Sequence, residues 1–392
     1  MESSFRKGDR GRAVGHIREV LSRLELVRPG AGRAGEPAYD DEMELAVRTF
    51  QQQRGLSIDG VVGPATYRRL DEARWRLGDR ILTYRPGNPT AGDDVFALQQ
   101  RLLELGFDTG RVDGYFGAGT EAALREFQHD VGLPADGTCG PATLKTLAGL
   151  RPRAQGGAPD ALRAQEHIRE AGPRLAGKTI VVDPGLGHQV PVERYAESDA
   201  LVHDLARRVE GRLVAIGVQA FLSRPASADR PATSHGDAAA EEERRAGFAN
   251  RAGADLCVTP ALDWSPSPGA SGVATYYFGS ESHGTSSAAG ERLAGLAQRE
   301  IVARTDLVDL RTHTKAWDLL RRTRMPAVVV EPGYLSHPRD RERLEDPGFR
   351  DVVAEAIVVA IQRFYLSPEV DEGTGTLHLD QLTGLGAHGA GS

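Results

Sequence analysis

The chain contains few cysteines and few aromatic residues, and it has no long apolar run. Cys139 and Cys257 are the only two cysteines in 392 residues, too few for a disulfide framework. Nowhere in the sequence do 18 apolar residues follow one another, so we predict no membrane-spanning helix. The N-terminal residues lack the apolar segment of a secretory signal peptide, and we therefore expect a cytoplasmic protein.

The charge pattern argues against two classes of partner. Forty-eight basic and 55 acidic residues give a net charge of -7. A nucleic-acid-binding domain normally carries a basic stripe, and a membrane-surface protein carries a polybasic segment. The sequence has neither, so we expect no nucleic-acid partner and no membrane insertion.

The N-terminal half contains a duplicated module. Phe50 corresponds to Phe127, and 127 − 50 = 77. Helical apolar spacing, a Gly-rich turn and a Pro that opens the last segment predict three short helices in each copy. The same offset relates Gly55-Leu56 to Gly132-Leu133, Asp59-Gly60 to Asp136-Gly137, and Gly63-Pro64-Ala65-Thr66 to Gly140-Pro141-Ala142-Thr143.

The repeated pattern resembles the type 1 peptidoglycan-binding domain, a small three-helix module. The resemblance implies a groove for cell-wall glycopeptide or for precursor fragments. Reuse of the same helices for protein contacts is the alternative, because a fold does not fix its ligand. We place the two modules at residues 5–73 and 84–150.

The C-terminal half is predicted to be an α/β domain with a largely parallel sheet flanked by helices. Apolar strands at 179–183, 218–223, 256–259 and 327–330 alternate with helical segments, which is typical of this class. We predict the domain at residues 175–366. A linker rich in Ala, Gly, Arg and Pro is expected at 151–174, and a flexible polar tail at 367–392.

Several motifs in this half occur in the order found in zinc-dependent N-acetylmuramoyl-L-alanine amidases of peptidoglycan metabolism. The chain therefore resembles that family over roughly half its length. The motifs are Asp183-Pro184-Gly185 after the first strand, Glu197 opening a helix, Ser223-Arg224, Arg244-Arg245, Ala254-Asp255, Tyr276-Tyr277 and Glu331-Pro332-Gly333.

The resemblance implies three zinc ligands, two His and one Glu, together with a catalytic carboxylate. Glu197 matches the ligand and Glu331 the catalytic carboxylate, whereas Leu186 and Ala261 occupy the two His positions. Neither Leu nor Ala can bind a metal, and catalytic zinc needs three protein ligands to activate water. We therefore expect no bound cofactor and no amidase activity, with Glu331 and Glu197 as remnants that converge on one cleft beside Leu186 and Ala261.

A rebuilt metal site is the alternative. His188 and Asp263 each lie two residues beyond a lost ligand, which keeps the same face of an extended strand. With Glu197 they would supply three donors for zinc. Each lies about 6–7 Å further along its segment, however, which is far outside the tolerance of a metal–ligand bond.

The missing ligands, the two modules and the expected cytoplasmic location together resemble an actinobacterial subgroup, the CwlM-type proteins. The resemblance implies a regulator of peptidoglycan precursor synthesis that a Ser/Thr protein kinase phosphorylates. Its implied partner is the UDP-N-acetylglucosamine enolpyruvyl transferase MurA.

The subgroup's phosphorylated Thr lies in a Thr-Gly-Thr stretch of the tail, which Thr374-Gly375-Thr376 matches. Thr374 is the predicted site and Thr376 its competitor. Acidic neighbours would drive a phosphate at Thr374 towards a basic surface, either on a partner or at residues 321–324 of this chain. A working zinc amidase that cleaves the bond between muramic acid and the stem peptide is the competing hypothesis.

Overall fold

The computed structural model describes residues 4–28, 37–150, 166, 168, 172–187, 190–225, 235–267 and 269–366. The chain forms two units: Met1–Asp160 with Ser280–Thr285, and Ala161–Gly279 with Ser286–Ser392. Of the predicted linker, only Glu166, Ile168 and residues 172–174 are described, and Ile168 is buried in the core of the second unit. The predicted tail lies outside the described residues.

The first unit contains three helices for each predicted module. Each module has its own apolar core, built around Phe50 in the first module and Phe127 in the second. A Pro occupies the start of each third helix, where the missing N–H costs no hydrogen bond. The helices are α1 (Arg12–Arg23), α2 (Asp41–Gln53), α3 (Pro64–Ala73), α4 (Asp93–Glu104), α5 (Ala118–Asp130) and α6 (Pro141–Gly149).

A buried glutamine holds each Asp-Gly turn against a helix. Gln128 on α5 donates to Asp136 (2.8 Å) and Thr143 (3.1 Å) and accepts from the N–H of Gly137 (2.8 Å). Gly137 has φ +71°, a conformation that favours glycine. Gln51 on α2 makes the corresponding bonds in the first module.

The structure shows a third copy of this arrangement, which the 77-residue offset in the sequence does not reveal. Gln99 on α4 donates to Asp113 and Thr120 and accepts from Gly114. The third copy lies within the second module and so does not follow the 77-residue offset. The repeated Gln, Asp, Gly and Thr therefore have a structural role in closing turns.

Replacing Gln128 with alanine should loosen the second module. The change leaves the Gly137 N–H without its partner and removes one of the two hydrogen bonds of the buried Thr143 hydroxyl, which we expect to cost about 2–4 kcal/mol. Hydrogen exchange should accelerate in peptides from residues 118–149, with peptides from the second unit as an internal reference. His129→Ala is the matched control, because its side chain is 83% exposed. Unchanged exchange in Gln128→Ala would contradict the structural role.

The second unit contains an eight-stranded sheet whose strands fall in the order β3-β1-β4-β8-β5-β6. The short β2 also pairs with β4, and β7 pairs with β5. Pairs β1–β3, β1–β4, β2–β4, β4–β8 and β5–β7 are parallel, whereas β5 runs antiparallel to β8. The strands are β1 (Thr179–Val182), β2 (Gly185–Leu186), β3 (Gln219–Leu222), β4 (Leu256–Leu262), β5 (Val273–Ser280), β6 (Thr285–Ser286), β7 (Asp309–Lys315) and β8 (Ala327–Glu331).

Helices cover both faces of this sheet. Alternate strand residues face opposite sides, so Val258 contributes to one core and its neighbour Cys257 to the other. Helices α7, α9 and α12 cover the first face, and α8 and α10 the second. The largely parallel sheet with flanking helices confirms the predicted fold class. The helices are α7 (Tyr195–Ala215), α8 (His235–Arg251), α9 (Ala288–Arg304), α10 (Asp318–Arg322), α11 (Pro338–Glu345) and α12 (Pro347–Tyr365).

The sequence predicts no membrane-spanning helix. Within the described ranges, the structure contains no helix with both the length and the apolar character needed to cross a bilayer.

Candidate functional site

Three of the four predicted site positions meet at the carboxyl ends of the strands. Ala261 on β4 pairs with Gly185 on β2, which places Leu186 beside it. Pro260 pairs with Val330, so the next residues, Ala261 and Glu331, also lie on adjacent strands. All three line one small pocket. Arg245, Trp317 and Leu319 are among the other lining residues.

In this chain, apolar residues occupy the two positions at which the zinc amidases have His. Ala261 is buried within the apolar cluster under α8 and α10. Leu186 packs against a small apolar cluster that includes Leu262 and Leu335. Neither side chain has a lone pair for zinc, and their surroundings are those of ordinary core residues.

Glu197 does not line this pocket. It lies in the first turn of α7, where its carboxylate pairs with Arg194 at 2.9 Å and its side chain is 39% exposed. A short 3-10 helix, Val192–Arg194, precedes α7 and places the arginine three residues before the glutamate. Of the two carboxylates expected to converge on one cleft, Glu331 lines this pocket, whereas Glu197 is not among its lining residues.

The alternative ligand set is not assembled among the described residues. His188 lies outside them. Asp263 follows β4 directly, and its Oδ1 accepts a hydrogen bond from the N–H of Trp264 at 2.8 Å. Its carboxylate also lies so close to Gly187 that a Cβ there would come within 2.1 Å of Oδ1. Over the described ranges, which do not include His188, no three His, Cys, Asp or Glu side chains form a group that could hold a metal ion.

The surroundings of Glu331 favour the protonated form of its carboxyl. Its side chain is 1% exposed, and burial raises the pKa of its carboxyl well above the usual range, with the negative charge of Asp263 adding to the effect. A hydrogen bond from Tyr276 and the charge of Lys315 act in the opposite direction. Burial, together with Glu331, also raises the pKa of Tyr334 to about 12.

Replacing Glu331 with glutamine should reduce the pH dependence of the free energy of unfolding. A raised folded-state pKa means that the folded protein retains a proton that the unfolded chain loses above about pH 4.3. Stability should thus fall as pH rises between the unfolded and the raised folded pKa, by up to about 1.4 kcal/mol per pH unit. The neutral glutamine should flatten this slope.

Urea unfolding of the full chain from about pH 5 to about pH 9 measures the slope of stability against pH. Glu197→Gln is the control, because a surface pair of this kind contributes only about 0–1 kcal/mol. Equal slopes in wild type and Glu331→Gln would show that Glu331 is ionised in the folded protein.

A buried aspartate beside the pocket accepts hydrogen bonds in a polar network that the sequence did not predict. Asp183 is fully buried and accepts hydrogen bonds from Ser223, Arg245 and Thr259. The motif Arg244-Arg245 was visible in the sequence, but nothing in a single chain showed which arginine turns inwards. The Asp183–Arg245 pair joins the end of β1 to α8 and forms part of the pocket's support.

The arginine-rich stretch at 321–324 is not an open basic surface, contrary to one sequence-based expectation. Arg321 is 2% exposed, and Arg322 pairs with Glu243 and Asp318. Arg324 is exposed. The reason is that α10 is short and packs its first arginine into the core. The predicted phosphorylation site Thr374 and its competitor Thr376 lie outside the described residues.

Comparison with known proteins agrees with this architecture. Residues 180–363 match the N-acetylmuramoyl-L-alanine amidase family, and residues 10–70 and 91–147 each match a peptidoglycan binding domain. The chain is similar to N-acetylmuramoyl-L-alanine amidase CwlM of Mycobacterium tuberculosis (strain ATCC 25618 / H37Rv). The identity is 46% over 393 residues, which cover 97% of this chain and 94% of that protein.

Two further similarities cover only part of the chain. N-acetylmuramoyl-L-alanine amidase CwlL of Bacillus licheniformis is 31% identical over 167 residues, covering 36% of this chain and 45% of that protein. The solved structure of an N-acetylmuramoyl-L-alanine amidase from Clostridium difficile 630 is 24% identical, with a TM-score of 0.40. It covers 48% of this chain and 95% of that one.

Proposed function

We propose that this chain, which belongs to the N-acetylmuramoyl-L-alanine amidase family, is a non-catalytic regulator of peptidoglycan precursor synthesis. One observation carries the proposal: Leu186 and Ala261 stand at the two His positions and line the same pocket as the buried Glu331. A hydrolytic site of this family needs a zinc ion and an ionised base. Leu186 and Ala261 offer no donor atom for that zinc ion.

The regulatory part of the proposal concerns MurA. The support is the chain-wide likeness to a CwlM protein. MurA acts on a soluble nucleotide-linked sugar, so a regulator that binds it would be needed inside the cell. We propose that a Ser/Thr protein kinase controls this binding through Thr374.

Charge supports a phosphate-dependent contact at this position. Glu369, Asp371 and Glu372 precede Thr374, so a phosphate there would add about −1.5 to −2 charge to an acidic segment. Such a segment requires a basic partner surface. Because Arg321 and Arg322 of this chain are buried or paired, we assign that surface to the partner.

For the two N-terminal modules, two proposals remain open. They bind a cell-wall glycopeptide or precursor fragment, as their family name suggests, or they contact protein. The glutamine-closed turns account for the repeated residues without a ligand, so the repetition favours neither proposal.

A pull-down with purified MurA tests the proposed function. Kinase-treated chain should retain MurA and raise its rate, whereas untreated chain should do neither. Equal retention by both forms would reject control by phosphorylation, and no retention by either would reject MurA as the partner.

The second candidate function is an active zinc amidase, and the name of the Mycobacterium tuberculosis relative favours it. It would need His188 and Asp263 to rebuild the metal site. In the structure Asp263 accepts a hydrogen bond from the N–H of Trp264, and Glu197 pairs with Arg194, which counts against that site.

A further inference from the structure

A short segment, Ser280–Thr285, belongs to the first unit together with the two modules. We call this segment the strap. It contains the end of β5, a 3-10 helix at Glu281–His283 and the first residue of β6. Its one ring is the side chain of His283, which makes the contacts described next.

His283 lies on a surface to which both modules contribute. Its ring stacks on that of Phe96, with centroids 3.9 Å apart and an interplanar angle of 11°. Its Nε2 atom lies 3.1 Å from Nη1 of Arg54 and 3.2 Å from Oδ1 of Asp93. Arg54 follows α2 of the first module, whereas Asp93 and Phe96 belong to α4 of the second. We call these three residues the module surface.

An ion pair holds the module surface together. Both Nη atoms of Arg54 donate to the carboxylate of Asp93, at 2.8 Å and 2.7 Å, in the forked geometry that favours this pair. Burial raises the pKa of Asp93, but the hydrogen bond with His283 and the charge of Arg54 outweigh burial and leave that pKa below its ordinary value. The module surface therefore presents an ionised carboxylate beside an aromatic ring.

The fold of a module does not require Asp93 or Phe96. Helix α1 begins at Arg12 and α4 at Asp93, and 93 − 12 = 81. At the same offset, Gly15 of the first module corresponds to Phe96 of the second. Within the described part of the second module, Phe96 does not belong to the apolar core. An arginine and a glycine serve the first module at these positions, so Asp93 and Phe96 serve the contact with the strap.

The strap contacts the modules through one ring and one hydroxyl. Nδ1 of His283 lies 2.9 Å from the hydroxyl of Ser280 and 3.1 Å from that of Ser282, which orients the ring. Thr285 donates to the backbone carbonyl of Val112 at 3.4 Å. An anchor of this size can be released without unfolding either module. The exposed residues of the strap are Glu281, Ser282 and Gly284.

We propose that the strap is an internal ligand of the two modules, which closes a peptide-recognition surface formed by Arg54, Asp93 and Phe96. When the strap leaves, a protein segment of the same chemistry, a histidine flanked by small hydroxyl residues, occupies the surface in its place. Because the strap is part of the chain, its effective concentration is on the order of millimolar, which excludes a weak competitor until the strap is released. The inference goes beyond the proposed regulatory function and does not depend on it.

The test uses the full chain and a fluorescently labelled synthetic peptide of residues 279–287 as the probe. His283→Ala removes the ring that anchors the strap, so the module surface should open. Fluorescence anisotropy should then show at least about tenfold tighter binding of the peptide than in wild type. A peptide that carries the same His283→Ala change should bind at least about tenfold more weakly than the natural peptide. No binding by the variant chain, or equal affinities in variant and wild type, would overturn the inference.

Two further variants show whether the peptide binds at the module surface. His313→Ala is the matched control, because it removes a different exposed histidine and should bind the peptide no better than wild type. Asp93→Asn, added to His283→Ala, removes the charge that pairs with Arg54 and should cost at least about tenfold in peptide affinity. Binding that survives Asp93→Asn would place the peptide elsewhere and reject the module surface.

Hydrogen exchange of the wild type keeps the inference testable if His283→Ala does not fold. Peptides that cover the strap should exchange by local opening, at least about a hundredfold faster than peptides that cover the buried β4. Exchange of the strap at the rate of β4 would show that it opens only with the whole fold, which would overturn the inference. None of these measurements involves MurA or zinc, so their outcome is independent of the proposed function.

Discussion

Replacing Thr374 with alanine should abolish the kinase-dependent activation of MurA. The phosphate would supply acceptor oxygens for one or two charge-assisted hydrogen bonds to a basic surface. Each such bond contributes about 1.5–3 kcal/mol, so the variant should bind MurA at least about tenfold more weakly than the phosphorylated wild type. Titration calorimetry measures the affinity, and a coupled assay measures the rate of MurA.

Thr376→Ala is the matched control for this prediction. It removes a second threonine two residues away in the same Thr-Gly-Thr stretch and should leave activation within about threefold of wild type. Phosphopeptide mapping identifies the modified residue directly. Full activation by Thr374→Ala, or its loss in Thr376→Ala alone, would contradict the assignment of Thr374.

The purified chain should not release stem peptides from muropeptides. Enzymes typically accelerate reactions at least about 10⁶-fold, and here Leu186 and Ala261 replace two of the three ligands of the zinc ion on which that acceleration depends. The expected rate is therefore the background rate without protein. Chromatography of muropeptides after long incubation, with and without added Zn²⁺, makes the measurement.

An active family member assayed in parallel shows that the substrate is competent. Turnover by the chain that disappears in His188→Ala and Asp263→Ala would contradict the prediction and establish the rebuilt metal site. Turnover that survives both changes would contradict the prediction as well, and would place catalysis on other residues.

The sequence predicted the fold because its signals are local and repeated. Apolar strands that alternate with helices require a sheet covered on both faces, and the parallel order of β1, β4 and β8 follows from that pattern. The same reasoning placed Leu186, Ala261 and Glu331 together, since parallel strands bring their carboxyl ends to one edge.

The contacts of individual charged side chains could not be predicted in this way. Glu197 was expected to point into the cleft, but Arg194, only three residues away, pairs with it instead. Arg321 was expected at the surface, yet the short α10 buries it. A pattern of residue types shows which face of an element is apolar. It does not show which of several nearby charged side chains a carboxylate will pair with.

The third glutamine-closed turn was missed for a related reason. Gln99, Asp113 and Thr120 are further apart along the chain than their counterparts at Gln51 and Gln128. Only the packing of α4 against α5 and the preceding turn brings them together. A search at a fixed offset therefore finds two copies where the structure has three.

Zinc analysis of the purified full chain is the most direct test of the central claim that the amidase pocket no longer holds a metal. The protein should be expressed in zinc-supplemented medium, freed of loosely bound metal by gel filtration, and analysed by inductively coupled plasma mass spectrometry. Because Leu186 and Ala261 offer no donor atoms, the account predicts far less than one zinc per chain. About one tightly bound zinc per chain, lost on His188→Ala, would contradict it.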